Sequence, residues 1–327
     1  MQTTMLRALI CSLAIPQCLA AVTWTPIGCD GWDFQGKDID AIWDNAVELA
    51  TQSQSQIDLI PKKFSLTGFS GEENRAGANG EMVFGAGFTK HRGLSDDGKA
   101  IMEKARSRYD EVLSGLAGTL PDMNPKRAFL LCGANGLKEE PIPGSPSPNK
   151  VWHAEVNLEG ITEYITLSYA GPGWPEPCQE PIARGQYYQA KTFFAVLNRG
   201  PGQERLTGII LCPNKFEELG IPVKATLDRG YQTEGRNGNR PYHGEYQALS
   251  GSLLHEMVHV VARFQYNTQW EDVDENGKVL YGFKAVHELA RSNPTRNLMN
   301  PDTFKIFAEM SQSPATEWGM TYIPPDR

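Results

Sequence analysis

The chain has 327 residues, 40% of them hydrophobic and 9% aromatic, enough for one large core or two moderate ones, which excludes intrinsic disorder as its main state. With 31 basic and 39 acidic side chains its formal charge is -8, which argues against a nucleic-acid partner, since that function needs a basic footprint. The 32 glycines and 22 prolines promise many turns.

Residues 1–20 read as a secretory signal peptide: MQTTMLR, then the apolar run ALICSLAIPQCLA, with Cys18 and Ala20 as the small residues before a cut after Ala20. The run is too short to span a bilayer, and no other segment could do so. The expectation is therefore a secreted, extracellular protein over residues 21–327, without a membrane span. Loss of the leader removes Cys11 and Cys18 and leaves Cys29, Cys132, Cys178 and Cys212. In an oxidising compartment these allow up to two disulfides. Three pairings are open, and Cys29 with Cys132 and Cys178 with Cys212 is the favoured one.

The segment DIDAIWDNAVELATQSQ, residues 38–54, has apolar side chains at helical spacing. The interval GFSGEENRAGANGEMVFGAG, 68–87, reads as a loop with a short strand; its glycines lack the spacing of a phosphate-binding loop. A helix follows over 95–118, with Ser95 as its cap. RAFLLCG, 127–133, opens a strand-rich middle that includes VWHAEVN, EYITLSYAG, QYYQAKTFFAVL and RLTGIILC. Helices before residue 120 and sheet after it make a subdivision near that point conceivable. Helices return at 248–264, at FKAVHELARS and at PDTFKIFAEMSQ, where Pro301 suits a first turn. The expected class is α+β, a small mixed or antiparallel sheet packed on an active-site helix, with additional N-terminal helices.

The decisive motif is His255-Glu256-Met257-Val258-His259. Residues four apart share a helical face, so both imidazoles can converge on one Zn²⁺, while Glu256 stands beside the metal-activated water as its base. The third ligand has three candidates: Asp272, Asp274 and Glu288. Asn276-Gly277 is a two-residue hairpin signal; a turn there sets Asp272 opposite Tyr281 and Asp274 close to the tip, which favours Asp272. Tyr281 is then the candidate donor to a developing oxyanion. His287 could hold a ligand carboxylate, though a helix-surface role suits it better, and His91, His153 and His243 read as loop or surface residues.

LLHEMVH (253–259), Tyr281-Gly282, NPDTF (300–304) and GIILCPNKFEELG (208–220) together resemble the aspzincin metallopeptidases, the deuterolysin and lysine-specific metallo-endopeptidase group. The resemblance covers roughly 178–312, the catalytic part it would define. It implies a zincin-like fold, zinc bound by His255 and His259, water activated by Glu256, and transition-state stabilisation by Tyr281. The group usually carries its aspartate ligand three positions before the tyrosine; that position here is Lys278. The lysine-specific members look like enzymes with an acidic pocket, and the sequence names no such pocket. The resulting expectation is a secreted zinc endopeptidase acting on a peptide or protein substrate. The alternative is a secreted zinc-binding or effector-like protein on the same scaffold with little or no proteolysis.

Overall fold

Asp38 opens the first long helix. Its carboxylate accepts from the amide of Ala41, and α1 runs over Ile39–Leu59 with Ile42, Trp43, Ala46 and Leu49 buried along one stripe. The structure, a computed structural model, describes residues 22–318 except 144–146, 168–169, 171, 180–187, 200–201, 214–222, 229–242, 244–246, 271 and 273–277. Residues 1–20, expected to be a signal peptide, and the turn expected at Asn276-Gly277 lie outside the described residues.

The glycine-rich interval is where the sequence expectation needs correction. It is not a loop: α2 spans Gly71–Phe84. A capping box starts it, with Ser70 accepting from the Glu73 amide and Glu73 reaching back to the Ser70 amide. Gly85 ends it in the left-handed conformation at φ 70°. Its internal glycines serve close packing, because a Cβ on Gly77 would run into the Phe88 ring and one on Gly80 would press on Ile60. That contact is invisible to composition.

A short hairpin, β2 (Phe88–Thr89) with β3 (Gly93–Leu94), leads to α3 (Asp96–Leu116), capped by Ser95 as expected. Gly98 in its first turn lies against the carbonyl of Ala86, where a Cβ would overlap the oxygen. Gly98→Ala is therefore expected to destabilise the chain by about 1–3 kcal/mol, the usual range for overpacking. A denaturant midpoint equal to that of the parent would contradict this packing.

The main sheet has seven strands in the order β1-β4-β9-β8-β7-β6-β5. β1 (Thr25–Ile27) and β9 (Gly202–Leu211) flank β4 (Ala128–Cys132) in parallel; β8 (Ala190–Arg199), β7 (Ile161–Leu167), β6 (Val151–Leu158) and β5 (Lys138–Glu140) continue it antiparallel. Alternation on β4 separates two clusters. Leu130 and Cys132 face the helices together with Trp43, Met257 and Phe304, whereas Phe129 and Leu131 join Val156, Ile165, Phe193 and Ile210 on the other face. Among the described residues no helix contributes to that second cluster, which Leu137, Ala170 and Cys212 join from outside the strands. The architecture is thus mixed α and β, with helices on one side of a mixed sheet.

Four helices complete the helical layer: α4 (Leu249–Tyr266), α5 (Gly282–Ser292), the short α6 (Pro294–Asn297) and α7 (Pro301–Ser311). Pro301 occupies the first turn of α7, and the Asn300 side chain accepts from the Asp302 amide. One buried cluster extends from Trp24 to Trp318 and includes Leu120, so the conceivable boundary near 120 falls inside continuous packing. Cys29 pairs with Cys132 and Cys178 with Cys212, at Cα separations of 5.1 and 5.2 Å. The first bridge closes a loop of 103 residues between β1 and the end of β4. No described helix is long and apolar enough to cross a membrane.

Candidate metal centre

The first turn of α4 has no side-chain cap of its own. Its Ala248 amide donates instead to Glu309 Oε1 of α7 at 2.9 Å, and the other oxygen of Glu309 meets His243 Nε2 at 2.7 Å. His243 is 1% exposed, so the expectation of a surface position is corrected: it helps join α4 to α7. His153 is likewise buried, within β6, while His91 is exposed. His287 bonds the Met82 carbonyl at 2.9 Å and tethers α5 to α2; among the described residues it holds no ligand carboxylate.

Further along α4, His255 and His259 share one face, with ring centroids 5.1 Å apart. Each Nδ1 is engaged: that of His255 with Asp302 Oδ1 at 2.9 Å, that of His259 with the Trp270 carbonyl at 2.8 Å. These contacts turn both Nε2 atoms towards one point. Asp272 meets them there, Oδ1 at 3.2 Å from His255 Nε2 and Oδ2 at 3.2 Å from His259 Nε2. Ligand atoms of the three residues all lie within 4.8 Å of one another.

The donor set fits a zinc ion on two grounds. Tetrahedral bonds of 2.0–2.1 Å place neighbouring ligand atoms about 3.3 Å apart, close to the two contacts here. Asp272 Oδ1 is buried without a hydrogen-bond partner although it faces His255, which is the arrangement a cation between them would satisfy. Two imidazoles and a carboxylate are also a common set for a catalytic zinc, leaving a fourth position open.

Of the other candidate ligands, Asp274 lies outside the described residues. Glu288 is half exposed on α5, facing Lys278 at 3.3 Å and Lys284 at 4.0 Å, and is not part of the group. The Asp272–Tyr281 juxtaposition is present, with the Tyr281 hydroxyl donating to Asp272 Oδ2 at 2.7 Å. The backbone register differs by one residue from the expected one, since it is the Leu280 amide that donates to the Asp272 carbonyl, at 2.8 Å. Gly282, at φ 83°, takes the chain from Tyr281 into α5, and its amide donates to Asp302 Oδ2 at 2.5 Å. Asp302 thereby fixes both His255 and the tyrosine-bearing turn.

Glu256 points one oxygen towards the same centre, Oε1 lying 4.0 Å from His255 Nε2. Its other oxygen is held by β8: Thr192 donates its amide at 2.6 Å and its hydroxyl at 2.7 Å. Asp302, Thr192 and the Trp270 carbonyl were not among the residues expected from sequence. Asp302 stood within the NPDTF segment and was within reach of that reading. Thr192 had no signal, because its contact joins a strand to a helix 64 positions away.

Electrostatics couple these groups. Burial opposes the charged imidazole of His255, but Asp272 and Asp302 outweigh it and push its pKa up to about 10. Burial works against the Asp272 carboxylate too, yet His255 and His259 hold it well below the usual carboxylate range. The Tyr281 phenol is pushed up, by burial first and then by Asp272 and Glu256, so it stays protonated as a donor. A zinc ion bound at this group would have to displace the His255 proton. Apparent zinc affinity is therefore expected to rise about tenfold per pH unit between about pH 7 and 9, levelling off above pH 10. The stabilisation that this proton brings to the metal-free fold has the opposite sign: it is full below pH 6.5 and is lost as pH rises through about 10. Competition titrations with a chromophoric chelator across this range measure the first effect, and a flat profile would contradict it.

Compared with protein-family models, curated proteins and solved structures, the chain matches none.

Proposed function

We propose that the chain is a secreted zinc-dependent endopeptidase of the aspzincin kind, built on a zincin-like arrangement of helix and sheet. One observation carries the reading: His255, His259 and Asp272 converge on a single point, with the Glu256 carboxylate beside it and the Tyr281 hydroxyl at its rim. Two disulfide pairs suit an oxidising compartment and thus the leader at residues 1–20. The acidic composition favours a peptide or protein substrate over nucleic acid.

Zinc held by His255, His259 and Asp272 would polarise the scissile carbonyl and lower the pKa of water at the open position. Glu256 accepts the proton of the attacking water on Oε1, while Thr192 keeps Oε2 still. The proton then passes from Glu256 to the departing amine as the C–N bond breaks. Tyr281, 46% exposed, is within reach of a peptide from solvent. Turning its hydroxyl from Asp272 to the substrate oxygen supplies a hydrogen bond where negative charge develops. Asp302 acts through His255, fixing its ring and strengthening it as a ligand.

The reading is tested by measuring zinc content together with cleavage of an unbiased peptide library. One zinc per chain with cleavage that a chelator abolishes and zinc restores is the expected result. One zinc per chain without cleavage would instead favour a zinc-binding effector.

A further inference from the structure

Lys305 is a cation buried beside the proposed reaction centre. It lies on α7, one turn past Asp302, and is 8% exposed. Its Nζ donates to the Ser252 hydroxyl at 3.4 Å, its one hydrogen-bond partner among the described residues. An ammonium has three donors, so burial with a single long bond leaves much of its lost hydration uncompensated. Asp302 feels the charge and offsets part of it, but no hydrogen bond joins the two; its oxygens meet His255 and the Gly282 amide.

The position of this cation links it to the chemistry. Ser252 precedes Glu256 by one turn on the same face of α4, about 5.4 Å along the helix axis. The Ser252 hydroxyl donates to Gln189 Oε1 at 2.5 Å, and Gln189 leads directly into β8, whose Thr192 holds Glu256. Lys305, Ser252 and Gln189 thus form a polar group between α4, α7 and the start of β8. One helical turn is also comparable to the reach from a scissile carbonyl to the side chain of the adjoining residue, given a rise of about 3.3 Å per residue in an extended peptide.

We propose that Lys305, with Ser252 and Gln189, forms a subsite for a substrate carboxylate adjoining the scissile bond. The inference rests on the peptidase reading above and names its substrate class: peptides carrying an acidic residue, or a free terminal carboxylate, next to the point of cleavage. The carboxylate completes the shell of the buried ammonium with charge-assisted hydrogen bonds.

The test uses three peptides of one sequence and the zinc-loaded full chain. The first has Glu beside the scissile bond and an amidated C-terminus, the second is its Gln twin, and the third is a Gln peptide ending there in a free carboxylate. The first or third is expected to show a kcat/KM about tenfold or more above the second, and which of them does so identifies the source of the carboxylate. Lys305→Gln is expected to bring that ratio near one, and Lys305→Glu to favour a Lys-bearing twin, a reversal that a merely structural lysine would not produce. If either variant fails to fold, the wild-type ratio still decides. Equal cleavage of all three peptides overturns the subsite and leaves the peptidase reading standing, whereas zinc binding with no cleavage of any library peptide overturns both.

Discussion

Glu256→Gln is expected to retain one zinc per chain while kcat for peptide cleavage falls between about 100-fold and 10,000-fold, the range for losing a general base. The substitution is nearly isosteric and leaves an oxygen to accept from Thr192, so the strand–helix contact survives. What disappears is the carboxylate oxygen proposed to take the proton of water, 4.0 Å from His255 Nε2. Zinc should stay because the three converging ligand atoms belong to other residues. Metal analysis and steady-state kinetics on the same preparation check both halves. Activity within tenfold of the parent would remove Glu256 from the mechanism, and loss of the metal would show that it acts as a ligand.

Asp272→Asn is expected to weaken zinc binding by more than about 100-fold, exceeding the 10–100-fold cost typical of losing a residue that only supports a ligand. Asp302→Asn is the internal comparison and belongs to that smaller range, since its carboxylate acts on zinc only through His255. Removal of the Asp272 charge also takes away the strongest electrostatic support for the His255 proton, so the metal-free variant should show a shallower pH dependence of zinc binding. Competition against a chelator of known affinity measures both variants. Unchanged affinity in Asp272→Asn would exclude it as the third ligand and return the choice to Asp274.

The histidine pair, its neighbouring glutamate and the Asp272–Tyr281 juxtaposition were legible in sequence because each rests on local geometry. Helical spacing aligns His255 with His259, and the sequence signal for a turn brought the tyrosine near the aspartate, a side-chain contact that is present although the backbone register is one residue off. The supports were not legible. Thr192 reaches Glu256 across tertiary space, and a threonine in a strand carries no mark of such a contact. His243 was misjudged for the same reason, since its burial depends on Glu309, 66 residues away. In α2 the glycine content outweighed a capping box that was present in the sequence as Ser70 and Glu73. The glycines belong there because Phe88 and Ile60 pack against the helix, which no local pattern records. The two faces of β4 were hidden too: AFLLC is apolar throughout, as expected of a strand buried on both sides.

The most direct measurement is a crystal structure of the zinc-loaded chain with anomalous data at the zinc edge. The account predicts one strong peak bonded at about 2.0–2.2 Å to His255 Nε2, His259 Nε2 and an Asp272 oxygen, with Glu256 close by but unbonded. A peak lacking Asp272, or one placed away from the two histidines, would contradict it.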